Sequence, residues 1–223
     1  MDEDTHVTPV IGSSIIRYPG IGRLFSLGGL SECGKSIAGQ YLASHGVLRI
    51  KIARLLADVG RELLLDPDDP TFTDQLYTSH ASIALSMFIE CVAKHMVERG
   101  VQLASLESMY RSQTAIFLKD VLGQRMVHTF IEAPLELRIE REWRKLGGEP
   151  REAVACRVRE KDAMKQRLGV PQLRPLADVV LDNSGSLQDY RSQLDRLLDE
   201  FPSVAKPQPR VLPGKPPSGE VSE

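Results

Sequence analysis

The sequence predicts a three-layer α/β fold: a five-stranded parallel sheet with helices on both faces and a helical lid. Three observations predict it. Short apolar runs alternate with helical segments through the middle of the chain, as expected of strands buried on both faces. A glycine-rich stretch, Gly29 to Ser36, joins the first of these runs to the first helix. The 223 residues are 42% hydrophobic and 26% charged, a balance that can bury a core of useful size.

The elements follow in order. Arg23 to Leu27 (RLFSL) is apolar and ends at Gly28-Gly29, which predicts a buried strand. A helix from Lys35 to about His45 stops at Gly46. Val47 to Ile52 predicts the second strand. Ala53 to Leu64 is helical in character and ends in the Asp66-Pro67-Asp68-Asp69-Pro70 turn. A long helix from about Ser79 to Arg99 stops at Gly100. Its residues Ile83, Met87, Phe88, Val92 and Met96 form an apolar stripe that reads as core packing. Val101 to Leu106 predicts the third strand, Gln113 to Leu122 a helix, Met126 to Glu132 the fourth strand and Asp178 to Leu181 the fifth. Pro134 suits the first turn of another helix. Val10 to Ile16 has the pattern of a short edge strand.

These elements define one domain over residues 21–200, with the lid at about 134–169. Residues 1–20 are expected to be a flexible segment. Residues 201–223 hold 6 of the 14 prolines and are expected to be a disordered tail. Lys plus Arg is 28 and Asp plus Glu is 30, a net charge of −2, which argues against nucleic acid as a partner. The acidic start lacks the pattern of a secretory signal, and no long apolar run suggests a membrane span. Cys33, Cys91 and Cys156 are far apart, and the five histidines have no metal-ligand spacing. A cytoplasmic protein without structural zinc is therefore expected, and the sequence is silent on oligomeric state.

The strongest chemical signal is Gly29-Leu30-Ser31-Glu32-Cys33-Gly34-Lys35-Ser36, which matches GxxxxGK[ST], the phosphate-binding or Walker A loop. Its glycines let successive backbone N–H groups face phosphate oxygens, and the helix that follows from Ile37 onward adds its positive end. Lys35 is expected to reach the β- and γ-phosphates of ATP, and the Ser36 hydroxyl to ligate Mg²⁺. No NKxD-like or DxxG motif accompanies the loop, which argues against a small GTPase. Glu107, at the end of the third strand, is the candidate base or metal-shell residue. Arg138, Arg141 and Arg144 share one helical face and are expected to clamp the transferred phosphoryl group, with Arg144 also touching ATP. A basic helical hairpin closing over the phosphates would exclude water, as a kinase requires.

The loop, the Arg138/Arg141 cluster after MVHTFIEAP and the ending LADVVLDNSGSLQDYRSQLDRLL resemble the P-loop kinases of the nucleoside-monophosphate-kinase group, nearest to dephospho-CoA kinase. The resemblance spans roughly residues 23–200. It implies the P-loop NTPase fold, and it puts the turn from Asn183 to Ser186 beside the adenine. The chain departs from dephospho-CoA kinase after the second strand, where that family carries an Asp and this chain has Arg49, Lys51 and Arg54. Arg49, Lys51 and Arg111 after strand ends suggest an anionic acceptor. The expected function is an ATP- and Mg²⁺-dependent phosphotransferase acting on a nucleotide-like or other anionic metabolite. The alternative is a nucleotide-binding regulatory module or slow ATPase, favoured by the missing Asp.

Overall fold

The computed structural model describes Tyr18 and residues 20–202. The expected strand at Val10 to Ile16 and most of the two terminal segments lie outside the described residues. Five strands, β1 (Arg23–Gly28), β2 (Leu48–Lys51), β3 (Leu103–Met109), β4 (Met126–Glu132) and β5 (Val179–Asp182), form one parallel sheet in the order β2-β3-β1-β4-β5. β1 is central and fully flanked, so its apolar run is buried on both faces. Because β1 leads across to β2 on one side while β4 lies on the other, the chain after β1 emerges at a topological switch point.

Helices α1 (Lys35–Ser44) and α8 (Leu187–Glu200) cover one face, closing a core with Phe25, Leu27, Ala38, Leu42, Leu181 and Tyr190. Helices α2 (Ile52–Glu62), α3 (Phe72–Thr78), α4 (Ala81–Glu98) and α5 (Ser112–Leu122) pack on the other, around Leu24, Leu55, Phe88, Val92, Met96 and Leu106. The apolar stripe of α4 is core, as expected, except that Ile83 is exposed. α3 is an addition to the sequence reading: the Asp-Pro turn ends α2 but then caps a further two turns of helix.

α6 (Leu135–Leu146) and α7 (Arg151–Arg167) form the predicted hairpin, hinged at Gly147-Gly148. Its two arms share a small core of Ile139, Val154, Ala155 and Val158. Ser186 caps α8 through a reciprocal capping box with Asp189. β3 is longer than expected, because residues 107–109 continue the strand through an irregularity. Leu27 pairs with Glu107 but Gly28 pairs with Met109, and the skipped Ser108 has φ +74°. No single helix among the described residues is long and apolar enough to cross a membrane.

Candidate active site

The glycine-rich loop connects β1 to α1 at the carboxyl end of the sheet. Gly29 has φ +135°, and a Cβ there would run into the Ile131 carbonyl, so the loop can lie this close to β4 only with glycine. Glu32 also sits in the left-handed region, at φ +57°. The loop is braced from behind. Asn183 Nδ2 donates to the Cys33 carbonyl at 2.8 Å, and the Tyr190 hydroxyl donates to the Gly34 carbonyl at 3.3 Å. Lys35 is buried rather than exposed. Its ammonium donates to the Gly29 and Leu30 carbonyls at 2.9 and 2.5 Å and lies 3.4 Å from Cys33 Sγ.

A cavity of about 640 Å³ opens above the loop. Glu32, Gly34, Lys35, Ser36, Ile37, Gln40, Ser108, Arg141, Lys145, Lys165, Asn183 and Leu187 line it. It therefore joins the loop, the end of β3, both lid arms and the turn before α8. Three cations from the lid face Lys35 across this space. Burial pushes the Lys165 amine down to about 8, and the nearby charge of Lys35 adds to the shift. Burial also lowers Arg141, whose Nη2 donates to Asn183 Oδ1 at 3.3 Å while its buried Nη1 has no hydrogen-bond partner among the described residues. Arg141, with a buried donor unpartnered among the described residues, and Lys165 fit a polyanion, while Lys145 is paired with Glu142 at 2.9 Å, which holds its amine up.

Glu107 projects from β3 onto the α1 side of the sheet. It accepts from the Ser36 hydroxyl through Oε1 and from Arg49 Nε at 2.6 Å through Oε2. Gly39 of α1 lies directly beneath: a Cβ there would come 3.0 Å from Glu107 Oε2 and 3.1 Å from Arg49 Nε. The expected partnership of Ser36 and Glu107 is thus present in space, and it has a third member in Arg49. A hydroxyl beside a carboxylate at a helix start is a hard-oxygen pair suited to Mg²⁺.

The expected arginine clamp divides. Arg141 faces the cavity. Arg138 is buried elsewhere, donating to Asp162 at 2.6 Å, to the Ser31 carbonyl at 2.9 Å and to the Ala133 carbonyl at 3.0 Å. The Ser31 N–H in turn donates to Asp162 at 2.9 Å, so this pair fastens α6 and α7 to the loop. Arg144 is exposed and pairs with Glu140, one turn away on its own helix, and is not among the residues lining the cavity. Of the expected acceptor residues, Arg49 is engaged by Glu107. Lys51 lines a separate groove. Arg111 lies 4.5 Å over the Tyr77 ring and 3.5 Å from Asp74, with its buried Nε unpartnered among the described residues.

Lys165, Ser108, Gln40 and Leu187 are cavity residues that sequence reasoning did not place, whereas Lys145 lies one turn beyond Arg141, on the face expected to carry the clamp. Lys165 belongs to the basic run of the lid but has no spacing that separates it from its solvated members. Asp162 is one of several acids interleaved there, and only burial distinguishes it.

No family model and no curated protein matches the chain. Solved structures do. A protein from Thermus thermophilus matches at 21% identity over 81% of this chain and 98% of its own, with a TM-score of 0.54. A sugar kinase from Janibacter sp. matches at 16% identity over 81% of this chain and 95% of its own, with a TM-score of 0.50. A dephospho-CoA kinase from Campylobacter jejuni matches at 15% identity over 80% of this chain and 97% of its own, with a TM-score of 0.42. The likeness is one of fold: this chain has the three-layer P-loop kinase fold.

Proposed function

We propose that the chain is an ATP-dependent kinase that transfers the γ-phosphate to a small anionic metabolite. The observation that carries the reading is the single cavity in which Lys35, Ser36, Arg141, Lys145 and Lys165 converge from the loop and both lid arms. A hydrolytic or purely regulatory nucleotide site has less need of cations closing from the far side, whereas a transferase must shield the phosphoryl group from water.

In this reading the loop N–H groups and Lys35 hold the phosphates, and Arg141 with Lys165 neutralises charge as the phosphoryl group moves. Ser36 and Glu107 would hold Mg²⁺, which would neutralise phosphate charge at the loop. Glu107 would also accept a proton from an acceptor hydroxyl, either directly or through water. The acceptor would enter near Ser108 and Arg111, where the unpartnered Nε of Arg111 suits an anionic group.

The test is ATP consumption with and without a panel of nucleosides, nucleotides and phosphorylated or carboxylated metabolites. Turnover is expected to require an acceptor and to fall by about 10²-fold or more in Lys35→Ala, the scale of losing one preorganised charge-stabilising donor. Equal ATP consumption without any acceptor would replace the kinase by the slow ATPase, and an unaffected Lys35→Ala variant would remove the nucleotide site itself.

A further inference from the structure

A second basic concavity lies outside the phosphate cavity and shares no residue with it. It has a volume of about 340 Å³ and runs along β2, the outermost strand of the sheet among the described residues. Arg49 and Lys51 come from β2, Arg54 and Asp58 from α2, and His95 and Arg99 from the last turns of α4. The groove runs from the carboxyl end of β2, where Lys51 and Arg54 sit, down to Arg99 at the C-terminal end of α4, and it is lined by other residues than the cavity over the loop.

The charges in the groove are unbalanced. Asp58 is taken by Arg61 at 2.8 Å, and Arg49 by Glu107. Lys51, Arg54 and Arg99 have no acidic partner among the described residues. Three exposed cations without an acidic partner among the described residues surround a ligand-sized hollow and make a site for phosphate oxygens, with His95 beside them, 3.8 Å from Glu98.

We propose that this groove binds a phosphate-bearing small molecule, and that Arg49 links it to the active site. Arg49 lines the groove while its guanidinium holds Glu107, which in turn accepts from Ser36. An anion in the groove competes with Glu107 for the same guanidinium. Occupancy of the groove and the state of Glu107 are then reciprocally coupled.

Inorganic pyrophosphate is the probe, titrated calorimetrically into the full chain. Two sites are expected in the unaltered protein and one in Lys35→Ala, where the phosphate loop is disabled. In the Lys35→Ala background, Arg54→Glu or Arg99→Glu is expected to weaken the remaining site about tenfold or more, as for loss of one charge-assisted hydrogen bond. Arg196→Glu, the same charge change on exposed α8, is expected to leave it unchanged. Adding Glu107→Gln to Lys35→Ala frees Arg49 and should tighten the groove about fivefold or more. The proposal is overturned if Lys35→Ala leaves no site, or if Arg196→Glu weakens binding as much as the groove variants. Unchanged groove affinity in Glu107→Gln overturns the link through Arg49, and tighter binding of an acidic peptide than of pyrophosphate assigns the groove to a protein partner. If the phosphate loop does not bind pyrophosphate, the unaltered protein shows a single site that Lys35→Ala leaves intact and the groove variants still weaken, so the two readings fail separately.

Discussion

At the scale of single residues, the weight falls on Glu107. Its neighbours were legible only in part. A carboxylate at the end of a strand after the loop pattern is a recognisable signal, and the register Leu27↔Glu107 explains why it lands beside the loop. Its bond to Arg49 was not legible, since nothing local couples positions 49 and 107 until β2 and β3 pair with Lys51 opposite Glu107. Arg138 and Arg141 part company for a related reason: i, i+3 spacing puts both on one face, but Arg138 is buried against Asp162 and the Ser31 carbonyl while Arg141 lines the cavity. Glu107→Gln keeps the shape and removes the charge. Turnover is expected to fall by about 10²-fold or more while ATP affinity without acceptor changes little, because the loop supplies most phosphate contacts. Measuring kcat and nucleotide affinity for this variant checks both halves, and a normal kcat would leave Glu107 as a mere anchor for Arg49.

At the scale of elements, a buried ion pair ties the lid to the loop. The hairpin's own core is small, and Arg138–Asp162 with the Ser31 N–H forms its buried polar tie, beside longer contacts of Lys145 and Lys161 with Glu32 at 3.8 and 3.9 Å. Removing one partner of a buried pair costs about 3–5 kcal/mol because the other charge is stranded. Here the cost should be local: Asp162→Ala should loosen α6 and α7 without unfolding the sheet. Hydrogen exchange is expected to speed up across residues 135–167 and to stay slow in β1 and β4, with KM for ATP rising. Uniform loss of protection would instead make the pair part of the global fold. The hairpin itself was readable from Pro134, the Gly147-Gly148 break and the basic run. α3 was not, because seven residues after a Pro-rich turn carry too little periodicity to separate helix from loop.

At the scale of the whole molecule, the strand–helix alternation revealed the sheet, whereas its order and its buried polar network emerge only on folding. His128 of β4 shows this. It lies in a run of apolar strand residues, bonds Ser26 of β1, and is pushed down to about 4, chiefly by burial. The unfolded chain takes up the proton near pH 6.5 and the folded chain only near 4, so this group's contribution to stability falls as pH falls through that window. About 2 kcal/mol should be lost between pH 8 and pH 5. Chemical denaturation across that range, with His128→Gln as the comparison, should show a flatter profile for the variant; parallel profiles would clear His128 of the effect. The sheet's boundary has a consequence of another kind. β2 is four residues long and is the outermost strand among the described residues, with Arg49, held by Glu107, and exposed Lys51 along it. Two such edges brought together would set like charges against each other before a single hydrogen bond formed between them. Exposed Lys51 and Arg54 at the turn into α2 thus disfavour growth of the sheet by addition of its own copies at β2.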